Sequence, residues 1–278
     1  MIAWQVGVLA GLADAGLDCR SAGAILGTSG GSLGAARLAA GIDPRLDADQ
    51  IVRTPPRAAP DQLRRAVSQA MPMLTRVLWE GPARSGAERR RRAGQFGLRW
   101  RGVLSWPAHI QLQAARLPEA DWPRSLRLVA CDADTGELVA LDSSTTIRLS
   151  EGVAAARAVP GLVAPLNVGG LRLIDAALCS ATNADLVPGE PELAIVIAAA
   201  PAAPVPGSVE ARWNDALEAE RSSLAARSVR SIVVHASSAA VEAMGNDPMS
   251  TTDAPAAVAA GREQGLEVGT EIALVARL

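Results

Sequence analysis

Gly27-Thr28-Ser29-Gly30-Gly31 fits the pattern G-x-S-x-G, in which a serine is held on a sharp turn between a strand and a helix. Such a turn forces unusual dihedrals on the serine, and glycines two before and two after it relieve collisions with the neighbouring elements. The Ser29 hydroxyl then stands exposed at the strand end. The N-terminus of the following helix faces any developing negative charge, with the Gly30 N–H as an oxyanion donor. The pattern alone is common in glycine-rich sequences, so its weight rests on a strand before it and a helix after it.

A serine hydroxyl is a weak nucleophile until a neighbouring base accepts its proton. Two arrangements fit the residue order. A histidine base has to be His235, since His109 precedes any acid that could orient it, and no carboxylate partner for His235 can be assigned. A carboxylate acting directly on the serine needs an aspartate at a strand end, desolvated enough to raise its basicity, and Asp175 stands at such a position. His235 closes an apolar run, where a packed or hydrogen-bonded histidine is the ordinary reading. Asn183 and Asp185 follow Asp175 closely and suit either orientation of the site or capping of the next element, the latter being the commoner use.

The elements that must position these groups show in the hydrophobic pattern. Trp4, Val8, Leu9 and Leu12 share one face of a helix over 4–15 that stops at Gly16. Residues 24–26 predict a short strand ending at Gly27, and the Ala- and Leu-rich stretch 30–40 predicts a helix closing at Gly41. Runs 126–131 and 137–141 flank Asp132-Ala133-Asp134-Thr135-Gly136 as a hairpin and its turn. The Asp-x-Asp spacing suggests a calcium loop, but Ser143 stands where such a loop needs a bidentate Glu. Runs 165–168 and 171–174, joined by Gly169-Gly170, predict a second hairpin that delivers Asp175. Runs 193–198 and 232–235 read as strands buried on both faces, and 200–206 as a proline-rich loop. The alternation predicts an α/β fold with a mainly parallel central sheet flanked by helices. Residues 1–278 read as a single domain in which about 43–123 form a helical, proline-broken, cap-like insertion.

Composition narrows the function classes. The 278 residues, 49% hydrophobic, suffice for a substantial core. No apolar run reaches about 18 residues and the start lacks a secretory signature, which reads as cytoplasmic. Cys19, Cys131 and Cys179 fit neither a disulfide framework nor a zinc site, and Cys131 and Cys179 read as buried small apolar residues. No metal and no cofactor are expected. A net charge of −2 gives no case for nucleic acid. The basic residues are all Arg, and Arg84, Arg89, Arg90, Arg91, Arg92, Arg99 and Arg101 crowd a segment, 79–106, that also holds Trp79, Trp100 and Trp106. That mixture suits peripheral contact with an anionic lipid surface; a solvated helical face with Trp packed beneath it is the plainer reading.

Taken in order, these blocks resemble the bacterial patatin-like phospholipases. Ala3-Trp4-Gln5-Val6-Gly7-Val8-Leu9 followed by Gly27-Thr28-Ser29-Gly30-Gly31 is similar to their first catalytic block. Leu128-Val129-Ala130-Cys131-Asp132 with Thr135-Gly136-Glu137 is similar to their central hairpin, and Ala158-Val159-Pro160-Gly161 to the stretch before the second block. That second block is Leu173-Ile174-Asp175-Ala176-Ala177, followed by Ser180-Ala181-Thr182-Asn183-Ala184-Asp185. The resemblance implies a three-layer α/β fold and a Ser29–Asp175 dyad without histidine. It implies a nucleophile turn built on Gly27, Gly30 and Gly31, acyl esters of lipids as substrates, and an acyl-enzyme intermediate.

The chain departs from the family twice. Ala176 and Ala177 replace the usual glycine after the aspartate. Met1 stands where a glycine-rich oxyanion loop should end, so the resemblance implies a missing first strand and loop, about 15 to 20 residues upstream. Each oxyanion donor is worth about 2.7–4 kcal/mol in other serine hydrolases. A catalytically silent lipid-binding or interaction protein of the same fold is therefore the competing expectation.

Overall fold

The structure, a computed structural model, describes residues 1–56, 59–100, 102–245 and 253–275. Its elements begin with helix α1 (Ile2–Asp14), strand β1 (Ile25–Thr28) and helices α2 (Gly30–Ala39), α3 (Pro44–Arg53), α4 (Asp61–Trp79), α5 (Gly86–Arg99) and α6 (Trp106–Ala114). Strands β2 (Leu126–Asp132) and β3 (Leu138–Leu141), helix α7 (Leu149–Ala156), and strands β4 (Leu166–Val168), β5 (Leu171–Asp175) and β6 (Leu193–Pro201) follow. Helix α8 (Val209–Ala226), strand β7 (Arg230–Ala236) and helices α9 (Ser238–Met244) and α10 (Ala254–Val275) complete the order. They pack as two compact units: Met1–Gly23, Gly41–Ala59 and Pro188–Leu278 form one, Ala24–Ala40 and Pro60–Val187 the other.

In the first unit α1 lies directly against α10. Gly7 and Gly11 on one helix, and Gly261 and Gly265 on the other, stand where a Cβ would strike the facing backbone, the Gly11 position being 2.0 Å from the Arg262 carbonyl oxygen. Four-residue spacing puts each pair on one helix face, so the backbones themselves meet. Polar side chains fix the pairing. Trp4 Nε1 donates to Gln264 Oε1 at 2.9 Å, Gln264 Nε2 donates to the His235 carbonyl at 2.8 Å, and Arg262 pairs with Asp14 and Asp49. Strands β6 and β7 pair in parallel. His235 ends on β7 with Nδ1 against the Ala200 carbonyl at 3.1 Å, a packed histidine. Strand β6 runs on to Pro201, through an irregularity after Ala198, into residues whose prolines suggested a loop.

The second unit is built on a five-stranded mixed sheet. Strand β1 pairs with β2 in parallel, whereas β3 and β5 pair with β2, and β4 with β5, antiparallel. Parallel pairing joins β1 to β2 and β6 to β7. Both expected hairpins form. Gly169 and Gly170 carry φ of 56° and 85°, the left-handed pair that a two-residue hairpin loop requires. Between β2 and β3 the Asp132 carboxylate accepts from the Asp134 N–H and the Thr135 hydroxyl, both at 3.0 Å, which is a self-contained turn. The helices of the stretch 43–123 are divided: α3 packs against α1 and α10 in the first unit, while α4, α5 and α6 belong to the second.

Candidate active site

The sheet brings two strand ends together. Strand β2 has three partners and only two edges. Strand β3 covers Leu128 to Cys131 on one edge, so β1, opposite 126–129, and β5, opposite 130–132, must share the other. They run in opposite directions. Thr28, the last residue of β1, faces Val129, and Asp175, the last of β5, faces Ala130. The residue after Thr28 therefore meets Asp175 end to end, although 146 positions separate Ser29 from Asp175 in the chain.

Ser29 Oγ donates to Asp175 Oδ2 at 2.6 Å. Ser29 itself has φ 48° and ψ −122°, a conformation that costs any residue but glycine. It occupies the N-cap position of α2, where a serine hydroxyl ordinarily binds a first-turn N–H. Here no such bond forms, because the hydroxyl is turned to Asp175. Gly30 and Gly31 form the first turn of α2, so their N–H groups have no partner within the helix itself. Gly27 is required by close approach: a Cβ there would lie 2.7 Å from Ser32 Cα and 2.8 Å from Ala35 Cβ.

Asp175 is 2% exposed. Its Oδ1 accepts from the Ala177 N–H at 2.8 Å, and its own N–H donates to the Ala158 carbonyl at 3.0 Å. Burial raises its carboxyl to about 6, against the opposing pull of the Ser29 hydroxyl, the Ala177 N–H and the positive charge of Arg157. A carboxylate with that affinity for protons, bonded to a hydroxyl, has the properties of a general base near neutral pH.

The segment after Asp175 is tied to β1. Thr28 Oγ1 donates to the Thr182 carbonyl at 2.9 Å, and Asn183 Nδ2 donates both to Thr28 Oγ1 at 3.3 Å and to the Ser180 carbonyl at 3.2 Å. Asn183 sits at the head of a short 3₁₀ turn in the left-handed region, yet its side chain makes no cap. Of the two uses weighed from sequence it takes the orienting one. Sequence reasoning missed Ser32, Thr28 and Arg157. A signal existed for Arg157, the lone charge between Glu151 and Arg172 in an otherwise apolar stretch.

The remaining candidates lie elsewhere. His109 on α6 is buried, with Nε2 against the Ala154 carbonyl at 3.0 Å, and burial lowers its pKa to about 4. Cys19, Cys131 and Cys179 carry no disulfide, and burial pushes the Cys131 thiol up to about 12. Among the described residues no three His, Cys, Asp or Glu side chains gather as a metal site, and no helix is long and apolar enough to cross a membrane. In the arginine-rich segment, Arg89 lies over the Trp79 ring at 5.2 Å and Arg90 Nε donates to the Gly136 carbonyl at 2.6 Å. Arg84, Arg91, Arg99 and Trp100 are exposed, and Arg101 lies outside the described residues.

A comparison with curated proteins returned no match. The family model described as patatin-like phospholipase matches residues 2–188 and so includes β1, the Ser29 turn, the β2–β3 hairpin and Asp175. With two thirds of its length matched, and with the mixed-sheet α/β architecture set out above, the chain belongs to the patatin-like phospholipase family.

Proposed function

We propose that the protein is a serine lipid acyl hydrolase, a single patatin-like domain over 1–278 that cleaves fatty acyl esters through a covalent Ser29 intermediate with Asp175 as the base. Family membership supports lipid acyl hydrolysis in general. The observation that carries the finer reading is the 2.6 Å contact from Ser29 Oγ to Asp175 Oδ2. In the reaction Ser29 Oγ attacks the ester carbonyl carbon while its proton passes to Asp175. The tetrahedral oxyanion takes hydrogen bonds from the Gly30 and Gly31 N–H groups at the head of α2. Its collapse breaks the bond to the alcohol oxygen, which leaves with the proton from Asp175, and the acyl group stays on Ser29. Water then gives a proton to Asp175 and attacks the acyl carbon. Fatty acid departs and the proton returns to Ser29.

Hydrolysis of a chromogenic fatty acyl ester, with labelling by a fluorophosphonate, tests this. Wild type should turn over and label. Ser29→Ala should do neither, and Asp175→Asn should fold but lose turnover. Activity that survives Ser29→Ala would overturn the reading. A wild type that neither turns over nor labels, yet binds lipid, would favour the silent lipid-binding alternative.

The substrate is reached, on this reading, from the inner, cytoplasmic face of a membrane. Residues 79–106 hold seven arginines against two acidic residues in a chain of net charge −2, a local excess suited to anionic headgroups. Exposed Arg84, Arg91 and Arg99 would meet phosphates, and exposed Trp100 the apolar boundary. Sedimentation with vesicles containing phosphatidylserine should exceed that with phosphatidylcholine alone and should fall with salt. Equal binding to both would reject the contact.

A further inference from the structure

Two consecutive residues at the end of α7 hold the two halves of the candidate dyad. Arg157 Nη1 donates to the Gly30 carbonyl at 3.2 Å, immediately after Ser29. The Ala158 carbonyl accepts the Asp175 N–H at 3.0 Å. The turn that presents the hydroxyl and the strand end that presents the carboxylate are thus fixed to one short piece of backbone. We propose that Arg157 is a positioning residue of the hydrolase: its guanidinium anchors the head of α2 behind Ser29 while its charge favours the ionised, proton-accepting form of Asp175. The inference rests on the Ser29–Asp175 reading given above.

The surroundings of Asp175 leave that electrostatic task to Arg157. From the β1–α2 turn it meets the neutral Ser29 hydroxyl, and from its own following segment the Ala177 N–H. From the end of α7 it meets the charge of Arg157. Arg116, after α6, acts on Arg157 instead, and Arg157 in turn helps hold His109, on α6, in its neutral form. Arg116 repels Arg157, and His109, lowered to about 4, is neutral at working pH. Burial lowers Arg157 only to about 10, so it remains a cation. A nearby positive charge favours the ionised form of a buried carboxylate, and a nucleophile displaced by about 1 Å loses on the order of a hundredfold in rate.

The experiment compares wild type with Arg157→Gln and Arg157→Lys, using ester turnover against pH, thermal melting and an infrared titration of the Asp175 carboxyl. The infrared signal is isolated by subtracting the Asp175→Asn spectrum and requires no turnover. Arg157→Gln should lower kcat by about tenfold to a hundredfold with little change in KM. It should also move both the acid limb of the rate profile and the infrared titration to higher pH. Arg157→Lys should restore the titration, because it keeps the charge, and only part of kcat, because it loses the planar fork that reaches Gly30. A lower melting temperature with the Asp175 titration unmoved would overturn the proposal. Should Arg157→Gln not fold, Arg157→Lys alone decides: a fall in kcat with the titration held supports the role, and unchanged kcat rejects it. Failure of the Ser29–Asp175 reading shows separately, as turnover retained by Ser29→Ala.

Discussion

Ser32 holds the carbonyl of Ser29 twice, through its N–H at 3.0 Å and its fully buried hydroxyl at 2.5 Å. This double grip sits one turn behind a residue whose φ of 48° is unfavourable for any side chain. Strain of about 1–3 kcal/mol persists only where the surroundings over-determine the conformation. Ser29→Gly should therefore melt higher than Ser29→Ala, by about 1 kcal/mol in urea denaturation, although neither can form an acyl-enzyme. Equal stabilities would mean that the turn is unstrained.

Asp175 sets both the activity profile and a stability cost. Activity should rise with pH through about 6, as the buried carboxyl loses its proton, and level above it. The sign for stability is the reverse. Its ordinary value is 3.8, so between there and about 6 the folded state holds a proton that the unfolded chain has released. Stability therefore falls as pH rises through that window. At about 1.4 kcal/mol per unit, Asp175→Asn should gain roughly 2–3 kcal/mol at pH 8 and nothing below about pH 4. His109 works oppositely: lowered from 6.5 to about 4, it costs stability as pH falls through that range. Urea titrations of Asp175→Asn should accordingly show a steeper acid loss than wild type between those values.

Gly27 tests how closely α2 must approach β1. The Cβ of Gly27→Ala would fall within 3 Å of both Ser32 Cα and Ala35 Cβ, so the helix must move away and carry Ser29 with it. Overpacking of this kind costs about 1–3 kcal/mol, and the displaced hydroxyl should lose about a hundredfold in kcat. Gly34→Ala in the same helix provides the contrast. Nothing lies within 4 Å of the position its Cβ would take, so it should stabilise by about 0.5–1 kcal/mol and leave turnover intact.

The local chemistry of the site was legible because it is local: small residues at fixed offsets around Ser29, and two glycines that close the hairpin ahead of Asp175. What sequence could not show was the β2 edge on which Thr28 and Asp175 take successive places, since strand pairing is a long-range choice. The same limit hid Arg157, whose partner at Gly30 lies 127 positions away. Patterning did anticipate β6, but its prolines suggested that the strand ends before Pro201, whereas edge or irregular positions tolerate proline. The 22 residues of α10 went unread because glycine and alanine in that stretch give no amphipathic stripe.

That helix supplies the last test. Gly7 and Gly11 on α1, and Gly261 and Gly265 on α10, are spaced so that each helix offers the other bare backbone. The Cβ of Gly11→Ala would lie 2.0 Å from the Arg262 carbonyl oxygen, and that of Gly265→Ala 2.1 Å from the Val8 carbonyl oxygen. Backbone cannot rotate aside as a side chain can, so either change must part the helices and stretch the Trp4–Gln264 hydrogen bond. Each should cost about 1–3 kcal/mol in chemical denaturation, despite the helix-favouring character of alanine. The two effects should not add, because once the helices have separated the second methyl meets open space. A double variant whose loss equals the sum of the singles would show that the two glycine contacts are independent.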